Sequence, residues 1–94
     1  RPSSLESYYQ NACALYEQKA YEECISFIDY DILQNEKIKQ NAKRMADIYY
    51  LKADSQFQME EYEDAVETYE LLEKTGEGAE MYYKDYAITL AYAG

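Results

Sequence analysis

The chain has 94 residues, 19 acids against 9 bases, no histidine and a net charge of −10. That length makes one domain, near the lower limit for burying a self-sufficient core. The missing histidine removes the commonest general base and metal ligand and any Ser-His or Cys-His nucleophile pair. The surplus of acid repels phosphate and argues against nucleic acid as a partner.

Apolar residues recur at helical spacing throughout, and no strand-like alternation persists. Ser3 with Glu6 forms a capping box that predicts a first helix from about Ser4 to Lys19, with Leu5, Tyr8, Ala12 and Leu15 on its apolar stripe. Tyr21, Cys24, Ile25, Ile28 and Ile32 predict a second helix from about Tyr21 to Leu33. Asn35 is the expected cap of a long third helix reaching Met59. A fourth runs from about Tyr62 to Lys74, and Gly76-Glu77-Gly78 then stops it and turns the chain. The fifth spans about Ala79 to Ala93. The chain is expected to be all-α.

These elements repeat. Tyr8, Ala12, Leu15, Tyr21, Cys24 and Ile28 carry the spacings 4, 3, 6, 3 and 4, and Tyr49, Ala53, Gln56, Tyr62, Ala65 and Tyr69 carry the same. Tyr83 and Ala87 lie 34 residues beyond Tyr49 and Ala53 and open a third unit. Small residues at Ala12 and Ala53 let the first helix of a pair approach the second near Cys24 and Ala65. Tyr21 and Tyr62 open the second helix and plug the corner. The first two units stand 41 apart, so seven extra residues lie between Ile32 and Met45, and two added helical turns accommodate them most cheaply.

The pattern resembles the tetratricopeptide repeat, a helix-turn-helix unit of 34 residues. Tyr49, Ala53, Tyr62, Ala65 and Tyr69 match its large, small, Tyr, Ala and aromatic positions, while Cys24 and Ile28 depart mildly from it in the first unit. Its turn glycine is absent, with Ala20 and Glu61 before the two tyrosines, and so is its closing proline, since Pro2 is the only one. The resemblance implies a right-handed superhelical stack of about five antiparallel helices, an α-solenoid. Repeat one covers about 5–38, the insertion about 34–45, repeat two about 46–79 and a partial third repeat about 80–94. Ile88, Leu90 and Tyr92 leave the last helix with an open apolar stripe. The expectation is an excerpt of a longer array; the alternative is a homodimer through that helix.

The resemblance also implies a concave groove built from the first helices of the pairs, where peptides or helices dock. Tyr9, Cys13, Tyr16, Tyr50, Asp54, Phe57, Ile88 and Tyr92 are the candidate partner-binding residues, bordered by Glu6, Glu17 and Asp47. Aromatic side chains dominate binding hot spots, and acidic neighbours favour a basic or uncharged partner. Family members that grip a peptide's C-terminal carboxylate do so with Lys and Asn; the matching places here hold Tyr9, Cys13, Tyr50 and Asp54, so that clamp is missing. Tyr8, Tyr21, Tyr49, Tyr62, Tyr69 and Tyr83, with Ala12, Cys24, Ala53, Ala65 and Ala87, are read as the residues that hold the stack. Tyr16 and Phe57 are open to a second reading, packed between helices rather than facing a ligand. A purely structural segment and a self-association surface therefore stand beside the groove.

Nine acids crowd between Glu60 and Glu80 against the single Lys74. Glu63, Glu67 and Glu70 share one helix face, the solvated convex side. Lys37, Lys39, Lys43 and Arg44 form a basic patch too small for nucleic acid. No phosphate loop is present, and adjacent acid pairs such as Glu22/Glu23 and Glu60/Glu61 point apart on a helix. No loop alternates oxygens as a calcium site needs. Neither an enzyme nor a metal or other cofactor is expected. Cys24 packs opposite Ala12, Cys13 turns to the groove, and two unpaired thiols fit a reducing compartment such as the cytoplasm. No transmembrane run is present.

Overall fold

A computed structural model describes residues 5–94. Ser3, and with it the expected capping box, lies outside the described residues. Within them the chain is all-helical, with five α-helices and no strand: α1 (Leu5–Glu17), α2 (Tyr21–Phe27), α3 (Ala42–Gln58), α4 (Tyr62–Lys74) and α5 (Ala79–Ala93). None of these helices is long and apolar enough to cross a membrane.

Two turns of the chain have the same construction. After α1, Lys19 takes a left-handed φ of 61°, and the Ala20 amide donates to the Leu15 carbonyl (2.9 Å). After α3, Glu60 takes φ 62°, and the Glu61 amide donates to the Gln56 carbonyl (2.8 Å). This closure satisfies the last carbonyls of each helix and ordinarily uses glycine. The residues that follow, Ala20 (φ −86°, ψ 67°) and Glu61 (φ −92°, ψ 67°), share nearly the same dihedrals and lead directly into Tyr21 and Tyr62. The sequence repeat is thus a repeat of backbone geometry. Such short connections set α1 against α2 and α3 against α4 as antiparallel neighbours.

α3 is the hub. It packs on α2 and α4, and it also touches α1 and α5, so the first helix of each pair meets the first helix of the next. Its two sides serve two cores. Met45, Ile48 and Leu51 join Ala12, Cys24, Ile28, Ile32 and Ile38 in an aliphatic cluster. Ala46 and Ala53 join Tyr69, Leu72 and Tyr82 in a tyrosine-rich one. Ala12 and Ala53 are fully buried, and the Cys24 thiol sits against the Ala12 carbonyl at 3.5 Å, the close approach that a small residue permits. Both cysteines are free thiols.

The insertion differs from expectation. α3 begins at Ala42, not Asn35, and no extra turns extend it. Instead α2 widens into a π-helical turn over Ile28–Ile32, closed by the Leu33 amide donating to the Ile28 carbonyl (2.8 Å). A 3₁₀ turn then covers Ile38–Gln40. Ahead of that turn, the Asn35 side chain accepts from the Lys37 and Ile38 amides (3.1 and 3.4 Å). Asn41 caps α3 by accepting from the Arg44 amide (3.0 Å). The physical reason is two competing asparagines and one apolar side chain. Each asparagine offers the backbone a partner outside the helix, and the break lets Ile38 reach the aliphatic core, where it is buried.

The third unit departs from expectation as well. Tyr83 is 69% exposed and Ala87 is exposed, so neither holds the stack. Their counterparts Tyr49 and Ala53 pack with residues of α4, whereas α5 packs mainly on α4 and α3 and leaves Tyr83 and Ala87 on its exposed flank. The packing role passes to Tyr82 and Tyr86, which stack on the buried Tyr69 ring at 6.1 and 5.1 Å.

Candidate functional site

The expected groove side chains come from α1, α3 and α5, which lie side by side through their contacts with α3. At one end, the Arg44 guanidinium lies 3.9 Å over the Tyr9 ring. It donates to both Glu6 oxygens (2.9 and 3.0 Å) and to Asp47 Oδ2 (2.7 Å). Burial pushes the Tyr9 hydroxyl up to about 12, helped by Cys13 and Asp47 and opposed by Arg44. A planar cation thus covers the ring from within the chain.

In the middle, tyrosines reach across helices to carboxylates. The Tyr16 hydroxyl on α1 donates to Asp54 Oδ2 on α3. The Tyr50 hydroxyl on α3 donates to Asp85 Oδ2 on α5 (2.5 Å). Burial, then the hydrogen bond to the acceptor carboxylate and its charge, raises the ionisation of both phenols well above the usual range. They therefore remain donors at neutral pH. These pairs tie the first helices together and fix the orientation of both carboxylates.

Beyond them the face opens. Asp54, Phe57, Gln58, Asp85, Ile88 and Thr89 line a cavity of about 180 Å³ between α3 and α5. Ile88 is exposed at its edge, and Phe57 packs against Tyr92, 60% exposed in the neighbouring acidic recess, with ring centroids 5.1 Å apart. Tyr62 completes an aromatic triad with them. On α4, Tyr69 is wholly buried. Burial, and after it the charges of Tyr50, Asp85 and Asp54, drive that phenol's ionisation upward, with Thr89 acting in the opposite sense. Three larger recesses are more open to water: about 340 Å³ among Glu60, Glu61, Glu63 and Asp64, about 480 Å³ beside Tyr30, and about 280 Å³ at Lys39, Met45, Tyr49 and Leu71.

The eight expected partner-binding residues therefore divide. Tyr9 is half-buried beneath Arg44, and Cys13 and Tyr16 pack against the aliphatic core. Tyr50 is half-buried and edge-on to Tyr69. Asp54, Phe57, Ile88 and Tyr92 converge on the open end. Of two further residues that matter here, Asp85 was not singled out from sequence and Arg44 was read only as part of a basic patch. Asp85 lies three before Ile88 and seven before Tyr92, so helical spacing alone puts it on their stripe. Arg44 lies three before Asp47, the spacing of helix neighbours.

Glu6, Asp47, Asp54 and Asp85 each accept from a phenol or an arginine, and burial holds the Cys24 thiol up, in its unreactive form. Among the described residues, no group of three or more Cys, Asp or Glu gathers where it could hold a metal ion. Compared with known proteins, the chain matches no family model, no curated protein and no solved structure.

Proposed function

We propose that the chain is a tetratricopeptide-like interaction module, a right-handed stack of helix pairs whose α1–α3–α5 face takes a peptide or helix of another protein. The partner is basic or uncharged, and the module itself carries out no reaction. The observation that carries this reading is the open end of the face. There Phe57 and Ile88, with Tyr92 packed against Phe57, adjoin two fixed carboxylates and a cavity. The matched turns at Lys19 and Glu60, and the contacts of α1 and α5 with α3, support the repeat stacking. Aromatic and aliphatic anchors beside oriented acceptors are the ordinary make-up of a peptide-binding hot spot.

Selection of binders from a random peptide library, followed by calorimetry, tests it. A selected peptide is expected to lose tenfold or more in affinity to Phe57→Ala plus Ile88→Ala, a loss of about 1.4 kcal/mol or more. Unchanged binding, or no selectable binder, contradicts the groove.

A second reading, assembly rather than capture, draws on the exposed flank of α5, where Met81, Tyr83 and Leu90 are all open to solvent. In that case the helix pairs with another copy as a homodimer. Sedimentation across a hundredfold range of concentration separates the two, since a monomer throughout rules against pairing.

A further inference from the structure

We infer that the recess where the inserted 3₁₀ turn meets the start of α3 and the end of α4 docks an acidic segment of a partner protein. One apolar side chain of that segment lies against Met45 and Leu71, and its flanking carboxylates meet Lys39 and Lys74. This surface shares no residue with the groove face and does not depend on it. Its partner is opposite in charge to the one proposed for the groove.

The chain builds the recess from three places. Ile38, buried in the aliphatic core, anchors the inserted turn against α3, and Lys39 follows it directly. Met45 and Tyr49 stand four apart on α3, and Leu71 and Lys74 three apart near the end of α4, so each pair shares a helix face. α3 and α4 are antiparallel neighbours, which sets the start of one beside the end of the other. The space enclosed is about 280 Å³. That is below the range of about 300–1,000 Å³ usual for small-molecule sites, and it suits a single side chain. Its floor is apolar, with Met45 buried and Leu71 41% exposed.

The sign of its charge sets this recess apart. The other three recesses each carry two or more carboxylates, and this one carries two lysines and no acid. That runs against the bulk of the chain, where acids outnumber bases 19 to 9. Nor are these lysines used up within the chain. Arg44 and Lys52 sit in close ion pairs of 2.6 to 2.9 Å, whereas Lys39 meets Glu36 only at 3.8 Å with both side chains exposed. Lys74 stands four residues after Glu70, the spacing and order at which helices form their best ion pairs, yet it makes none among the described residues. Tyr49 adds a donor, since burial alone pushes its phenol up and keeps the O–H intact at neutral pH. A carboxylate carried beside an apolar side chain thus meets opposite charge, a phenol and apolar surface together.

The test is an amide-resolved NMR titration of the whole chain with acetyl-Glu-Glu-Leu-Glu-Glu-amide. Two controls separate charge from apolar contact: the same peptide with every Glu replaced by Gln, and the same peptide with Leu replaced by Gly. Saturable shifts are expected at Lys39, Ala42, Leu71, Lys74 and Thr75 with the first peptide, and binding about fivefold weaker or worse with each control. Lys39→Gln and Lys74→Gln, both at exposed positions, are each expected to weaken the first peptide about threefold and together about tenfold, the scale of exposed ion pairs. Lys84→Gln removes the same charge from α5 and is expected to leave binding unchanged. The docking site is overturned by an equal response to either control, by shifts as large at Asp54 and Asp85 as in the recess, by Lys84→Gln weakening binding as much as Lys74→Gln, or by no saturable shift. Each of these outcomes leaves the groove standing, because a library binder mapped to Phe57 and Ile88 reports on the other face.

Discussion

The junction of α1 with α3 and the junction of α3 with α5 use the same kinds of residue and end in different states. In the first, the chain supplies its own cation: Arg44 covers Tyr9 and neutralises Glu6 and Asp47. Behind it lies an aliphatic core reinforced by the inserted Ile38. In the second, Asp54 and Asp85 meet phenols but no base, the core behind them is made of stacked tyrosines, and the surface retains a cavity. The contrast shows that aromatic and acidic content alone does not mark a binding face. A face whose charges are already paired is scaffold; one whose acceptors are fixed and lack a cation is where a partner gains most.

The largest expected effect lies in the tyrosine core. Tyr69→Ala removes a fully buried ring stacked on Tyr82 and Tyr86, and is expected to cost about 3–5 kcal/mol in chemical denaturation. Tyr69→Phe removes only the buried hydroxyl and is expected to be neutral or slightly stabilising. Tyr83→Ala, at an exposed position, stays within about 0.5 kcal/mol of wild type. A large cost at Tyr83 and a small one at Tyr69 would reverse the assignment of α5's inner face.

On the other side of α3, Ile38→Ala is expected to cost about 2–4 kcal/mol, because its side chain is buried in the aliphatic core. A change under 0.5 kcal/mol would show that the insertion is a surface loop.

Alkaline titration compares the two junctions next. Tyr9 is raised to about 12, and Tyr16, Tyr50 and Tyr69 are raised further. With folded values above the unfolded one, the proton-linked stability of these groups is fully present below about pH 10 and is lost as pH rises through the folded values. Phenolate absorbance should therefore show a late phase above pH 10, in which the held phenols ionise together with loss of helix signal. A single phase near pH 10 with the helices intact would contradict the held phenols. A smaller effect than either core truncation belongs to Arg44→Ala. Its contacts are partly exposed, so about 1 kcal/mol is expected, diminishing in added salt. A cost unaffected by salt would indicate packing rather than charge.

Much of this was legible in the chain. The spacing of Tyr8, Ala12, Tyr21 and Cys24 against Tyr49, Ala53, Tyr62 and Ala65 located two helix pairs, because small and aromatic residues at those intervals satisfy one packing geometry. The insertion was misread because periodicity does not register a short 3₁₀ turn, and because Asn35 and Asn41 are equally good caps; only the burial of Ile38 decides between them. Tyr83 was misread because repeat register says which residue is equivalent, not whether a neighbour covers it. The pairing of Tyr16 with Asp54 and of Tyr50 with Asp85 joins residues 38 and 35 positions apart, and no local pattern reports such contacts.

The central claim is that this face binds a partner at its open end. Amide shift mapping with a library-selected peptide tests it most directly. The account predicts shifts that centre on Asp54, Phe57, Asp85, Ile88 and Tyr92, fade toward Tyr9, and leave Glu63, Glu67 and Glu70 still. Shifts centred on those three glutamates, or around Tyr83 and Leu90 instead, would contradict it.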